Sequence, residues 1–189
     1  VDDPSLDSIR SVKNRSKAFT LFCESIYAFQ SSRFVSAASS LIGFLDMFAN
    51  DAYLELKHVW TDSILLRLLP FALSWSLLAD RSVPKESFPS SRRLEALVSK
   101  LFKECSNPRL DESERYARSS LLLRLWNDKV KLSFRLSSHT RFSILIDESS
   151  RFSPLSYPKS QQATYFFYHG RLSLLSGNFV SAVNSFSKS

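Results

Sequence analysis

The chain is poor in glycine, with only Gly43, Gly170 and Gly177 among 189 residues. This scarcity excludes a P-loop and a GxGxxG loop, both of which need clustered glycines so that backbone can approach a phosphate. It also argues against an all-β fold with many tight turns and favours helices. Cysteine is scarcer still. Cys23 and Cys105 lie far apart without metal-ligand spacing, and are expected to be buried thiols in a reducing compartment. His58, His139 and His169 form neither an HExxH pair nor a Cys/His cluster, and serine never falls in a GxSxG elbow. Asp111, Glu112 and Glu114 read as the solvated first turn of a helix. No catalytic residue, cofactor-binding residue or metal ligand can be assembled, so the chain is expected to be no enzyme and to take no small-molecule substrate. Long apolar runs are also scarce. The most apolar stretch, LLPFALSWSLLA (Leu68–Ala79), is short for a membrane span, is interrupted by Pro70 and is flanked by Arg67 and Asp80. It predicts a buried helix and no membrane partner. The chain opens at Val1 without a methionine or a basic-plus-apolar leader, as expected of a piece of a longer protein.

What is present is aromatic and basic. Sixteen phenylalanines and 44% hydrophobic residues are enough for a sizeable core in one large domain or parts of two. Serine makes up about a fifth of the chain, scattered among apolar residues rather than clustered as in a linker. The net charge of +7 is uneven: Arg92–Arg171 holds 15 Lys/Arg against 8 Asp/Glu, and the remainder holds 10 of each. A basic second half suits an acidic partner or nucleic acid. Arg92, Arg93, Arg115, Arg118, Lys129, Lys131 and Arg135 are the candidate contacts. A solvated surface accounts for the same charges.

Helical periodicity runs through the chain. Phe19, Phe22, Ile26 and Phe29 recur three and four apart within Arg15–Ser31. After a break at Ser31-Ser32-Arg33, Phe34, Ala38, Leu41, Leu45 and Phe48 repeat the pattern. Two amphipathic helices joined by so short a turn must lie antiparallel. A second run, Tyr53–Leu78, is expected to bend or break at Pro70, and Asp80–Ser91 to form an exposed loop. Helix resumes with Leu94, Leu97, Val98, Leu101 and Phe102, and Asn107-Pro108 stops it. Asp111–Leu136 begins acidic and turns basic, as the helix dipole favours, with Asn127-Asp128 as a point of division. A short helix over Arg141–Glu148 and a Pro/Ser connector over Ser150–Ser160 follow. Trp60, Trp75 and Trp126 sit in apolar helical segments and read as core.

The tetrapeptide FVSA occurs twice, at Phe34–Ala37 and Phe179–Ala182. The second copy lies in SQQATYFFYHGRLSLLSGNFVSAVNSFSKS, which divides at Gly177-Asn178: glycine suits a left-handed helix end and asparagine the next cap. Tyr165, Phe166, His169, Leu172 and Leu175 can face a partner helix, as can Phe179, Ala182, Val183 and Phe186. Gly170 in mid-helix costs about 1 kcal/mol relative to alanine, which points to close helix approach with Ala182 opposite. His169 reads as an interface histidine. Arg171 either reaches a carboxylate on a neighbouring helix or subunit, or flanks the glycine with its head in water. The first FVSA has Phe34, Ala37 or Ala38, and Leu41 in equivalent places but no glycine in its turn, and matches only the second helix of such a hairpin.

The spacing of Gly170, Ala182 and Phe186 resembles the tetratricopeptide pattern. The segment Tyr157–Phe186 resembles the entry into the PCI domain, the module shared by proteasome-lid, signalosome and initiation-factor subunits. Its string SQQ-x-TY-x-x-Y-x-GR and the G-N-F-x-x-A hairpin rest on Tyr165, Tyr168, Gly170, Arg171, Gly177, Asn178, Phe179 and Ala182. They are most similar to the mRNA-export subunit that partners the Sac scaffold in the transcription-and-export complex two, and to signalosome-subunit-twelve-like relatives. The proteasome-lid regulatory subunit three carries a similar Y-x-GR string. The resemblance implies an all-α, tetratricopeptide-like superhelix of antiparallel hairpins over residues 1–149, leading into a truncated PCI domain over 150–189 without its winged helix. It further implies a non-enzymatic scaffold in a nuclear mRNA-export complex, beside a large scaffold subunit and a small acidic subunit, with RNA or DNA as a further partner. A proteasome-lid or signalosome scaffold is the alternative.

Overall fold

A computed structural model of the chain describes residues 4–50, 60–84, 87–107, 112–138 and 141–189. The apolar residues at three-and-four spacing fold as eight α-helices among the described residues: α1 (Pro4–Gln30), α2 (Phe34–Phe48), α3 (Trp60–Ala79), α4 (Pro89–Cys105), α5 (Glu112–Arg135), α6 (Phe142–Ser149), α7 (Lys159–Leu175) and α8 (Phe179–Phe186). No strand occurs among the described residues, and the fold class is all-α. The chain divides into two compact units, 1–97 and 98–189, with the boundary inside α4. The expected boundary at residue 150 falls inside the second unit, where the last connector begins. His58, Asp111 and His139, and the side chains of Trp60, Glu112, Glu114 and Arg115, lie outside the described residues.

In the first unit α2 packs on both α1 and α3. Its Ala37, Ala38, Leu41 and Leu45 are buried together with Leu65, Leu69 and Ala72 of α3. Phe22 meets Phe44 at 5.2 Å, and Phe29 stacks on Trp75 at 4.5 Å. Two expectations need correction. First, of the bend or break expected at Pro70, the break does not occur, and α3 stays helical through that residue. A mid-helix proline costs about 3 kcal/mol, but Leu65 and Leu69 are fully buried beside it, worth about 2 kcal/mol each. Being continuous, α3 is 20 residues long, and by length and composition alone Thr61–Ala79 could cross a membrane. Its Leu65, Leu69, Ala72, Ser76 and Ala79 are buried within the protein. Second, Asp80–Ser91 is no simple exposed loop. A 3₁₀ turn at Asp80–Ser82 buries Asp80, and α4 already begins at Pro89. The Asp80 carboxylate accepts the Ser90 N–H at 3.1 Å and the Ser91 N–H at 2.9 Å, so it caps α4 from outside that helix.

In the second unit α5 is buried on several sides, through Leu121, Leu123, Leu125, Trp126, Val130 and Leu132. Trp126 donates its Nε1–H to the Leu145 carbonyl at 3.2 Å, and its ring lies 4.9 Å from Tyr165 and 6.0 Å from Phe152. Contrary to expectation, α5 does not divide at Asn127-Asp128. Both side chains turn inward to partners: Asn127 Nδ2 donates to the Gln161 carbonyl at 3.2 Å, and Arg124 Nε donates to Asp128 Oδ2 at 2.8 Å. Burial raises the Asp128 pKa, while Arg124 and Lys131 pull it back.

Two of the buried serines bond to their own helix. Buried Ser25 and Ser149 donate to the Phe22 and Ile146 carbonyls one turn back, so each hydroxyl is satisfied without a distant partner. Cys105 is buried as expected, whereas Cys23 is exposed and corrects the expectation of two buried thiols.

Candidate interaction surface

The residues of the C-terminal motif come together on the α7–α8 hairpin. At its turn the Asn178 N–H donates to the Ser173 carbonyl at 2.9 Å and the Gly177 N–H to the Leu174 carbonyl at 3.1 Å. This paired arrangement needs a left-handed residue after the helix, and Gly177 supplies it with φ = 79°. Asn178 Oδ1 then accepts the Ser181 N–H at 3.0 Å and caps α8.

The turn between α1 and α2 has the same bonding. The Arg33 N–H donates to the Ala28 carbonyl at 2.8 Å and the Ser32 N–H to the Phe29 carbonyl at 2.9 Å, with Ser32 at φ = 56°. The end of α5 repeats it, with Ser138 bonded to Ser133 and Ser137 at φ = 52°. The first FVSA therefore opens the second helix of a complete hairpin. A glycine-only signal misses that turn, because serine takes the left-handed place at a cost of about 1 kcal/mol.

Across the hairpin, Ala182 and Ser185 of α8 are buried against α7. A Cβ at Gly170 would stand 2.8 Å from the Phe186 ring, so the closest approach at this glycine is made by Phe186 rather than by Ala182. The rest of the interface is polar. His169 Nδ1 pairs with Ser185 Oγ at 2.9 Å, and Ser173 Oγ donates to Ser181 Oγ at 3.2 Å. The His169 ring stacks on Tyr165 at 5.5 Å, and the Tyr165 hydroxyl donates to the Ser149 carbonyl at 3.3 Å. Burial lowers the His169 pKa and raises that of Tyr165. On this flank a groove of about 430 Å³ is lined by Tyr165, His169, Asn184, Ser185 and Lys188 among others. The His169–Ser185 pair joins two helices, and Ser185 lies buried within α8 rather than on a nucleophile elbow.

The other flank is apolar. Phe179 and Val183 are exposed despite their helical spacing, and Phe186 is only partly covered. The expectation that Phe179 and Val183 face a partner helix therefore fails within the described residues: α8 meets α7 through Ala182, Ser185 and the Phe186 ring edge at Gly170. Arg171 is exposed and reaches no carboxylate among the described residues. Its guanidinium lies 4.1 Å from the centre of the Phe134 ring, 5.7 Å from that of Phe167 and 5.9 Å from that of Tyr168. Tyr168 is half-buried, 5.7 Å from Phe134.

The basic candidates are not gathered into a stripe of free charge. Lys129 Nζ donates to both Glu148 oxygens, at 2.7 and 2.9 Å, and sits 4.8 Å over the Phe102 ring. Lys131 lies 3.7 Å from Asp128, and Arg118 is buried. Arg92 Nε donates to the Ser87 carbonyl at 2.8 Å and Arg93 Nη1 to Ser39 Oγ at 2.7 Å. Arg92, Arg93 and Arg135 are exposed. Two of the expected contacts thus neutralise carboxylates within their own unit, which sequence spacing did not reveal. Among the described residues no group of three or more His, Cys, Asp or Glu could hold a metal ion.

Compared with protein-family models, curated proteins and solved structures, the chain matches none.

Proposed function

We propose that the chain is a non-enzymatic scaffold subunit with a PCI-type helical repeat at residues 150–189, acting in a nuclear mRNA-export complex. One observation carries the reading: within Tyr157–Phe186, the residues that resemble the family motif serve the hairpin itself. Gly177 makes its turn, Asn178 caps α8, Ala182 is buried at the helix contact and Gly170 admits Phe186. Helical hairpins of this kind act by presenting side chains to neighbouring subunits. The partners would be a large scaffold subunit and a small acidic subunit. With Lys129 and Lys131 engaged in ion pairs, an acidic protein surface is favoured over RNA or DNA as the complement of the remaining charge.

Tagged chain purified from cells under mild crosslinking, with the captured proteins identified, tests the assignment. Co-purification of an export scaffold with a small acidic subunit is the expected result. Recovery of proteasome ATPases and lid subunits, or of signalosome subunits, would replace the export reading with the alternative assembly.

A further inference from the structure

The apolar flank of the α7–α8 hairpin carries two matched stripes. Phe167, Arg171 and Leu174 recur at i, i+4 and i+7 along α7, and Phe179, Val183 and Phe186 do the same along α8. All six side chains are exposed. The stripes adjoin, since the Phe167 and Phe186 rings lie 6.3 Å apart. Each covers about 10 Å, two helical turns. A contiguous apolar surface of this kind marks an interaction site, and here it holds one charge, Arg171.

We propose that this flank docks an amphipathic helix of a protein partner, whose apolar side carries a carboxylate beside its middle turn, set against Arg171. The charge complementarity comes from the geometry of the guanidinium. Its face is occupied by the Phe134 ring at 4.1 Å, while a carboxylate is bound by the N–H edge. Among the described residues Arg171 has no carboxylate partner. Two parallel stripes of two turns match the i, i+4, i+7 anchors of a docked helix. An extended peptide finds no sheet edge here, because α7 and α8 use their backbone groups internally. A nucleic-acid backbone needs several cations in a row, and this flank offers one.

The inference rests on the scaffold reading for the existence of a partner, but its test uses the purified full chain. The probes are a labelled, alanine-rich helical peptide with leucines at i, i+4 and i+7 and a glutamate at i+3, and its glutamine twin. Saturable binding of both is expected, with the glutamate peptide about fivefold tighter. Arg171→Gln should abolish that preference while changing the affinity for the glutamine twin less than about twofold. Val183→Glu should weaken both by roughly tenfold or more. Circular dichroism checks the fold of each variant, and Val183→Ser serves if the glutamate variant loses helicity. Failure of both peptides to bind overturns the proposal, as does a glutamate preference that survives Arg171→Gln. Self-association of the chain abolished by Val183→Glu would make a second copy the occupant and overturn it too. So would capture by anionic phosphatidylserine vesicles that Val183→Glu abolishes. Peptide binding without any co-purifying assembly would sink the scaffold assignment alone; co-purification without peptide binding would sink the docking site alone.

Discussion

Hairpins α1–α2 and α7–α8 share a turn, a tetrapeptide and a buried alanine, yet the same letters meet different surroundings. Ala37 and Ala182 are both buried where two helices touch. Seven residues into each second helix, Leu41 is 1% exposed and Phe186 38%. Four residues in, Ala38 is fully buried while Val183 is 67% exposed. The reason is the neighbour on the far side: α2 is packed between α1 and α3, whereas α8 packs on α7. The expected aromatic anchor also differs. Phe34 meets Phe29 at 5.8 Å, while Phe179 is exposed. What the two copies have in common is the small residue that lets helices approach, and the difference shows that a tetrapeptide specifies a helix start but not its coverage.

The largest expected contrast lies at the seventh position. Leu41→Ala should cost about 2–5 kcal/mol, because it leaves a cavity in a closed core. Phe186→Ala should cost about 1 kcal/mol, because its ring is partly in water. Urea unfolding followed by circular dichroism measures both, and equal losses would mean that α8 is as well covered as α2. A smaller contrast lies in the turns. Ser32→Gly should stabilise by about 1 kcal/mol by relieving a left-handed serine, and Gly177→Ala should destabilise by a similar amount. Shifts of the same sign in the urea midpoint would break the likeness of the two turns. The smallest contrast is in pH. Burial depresses the His169 pKa, so the folded hairpin binds its proton less readily than the unfolded chain. That contribution is present above the ordinary histidine value of 6.5 and is lost as pH falls through the lower folded value. Amide exchange protection in α8 should drop on acidification across that window, and His169→Gln should flatten the response. The variant comparison removes the opposing pH dependence of Asp128, whose raised pKa favours the folded state at low pH. The helices α1 and α2 contain no histidine, so protection in α2 serves as the reference.

Much of the helical plan was legible in the sequence, because its signals are local. The breaks at Ser31–Arg33 and Gly177-Asn178, the stop near Asn107 and the aromatic spacing of α1 and α2 all appear at or near the expected positions. The misses share one cause. Pro70 and Asn127-Asp128 carry strong breaking signals, but buried neighbours keep their helices whole. Asp80 looked like a loop residue and instead caps a helix that begins nine positions later. Lys129 looked like free charge, and Glu148, 19 residues away, takes it. In the candidate surface, the turn, the cap and the buried alanine were readable. The resting place of Arg171 on Phe134 was not, because the ring belongs to α5.

By itself the sequence determined that this protein is helical, where its C-terminal hairpin turns and which residue caps the following helix. Those outcomes depend on periodicity, φ preference and capping bonds, which act within about four residues. Tertiary structure decided which proline is tolerated, which lysines are neutralised, and which apolar stripes remain in water. Each of those depends on a desolvated neighbour brought from a distant element, and no local pattern encodes which side of a helix will find one.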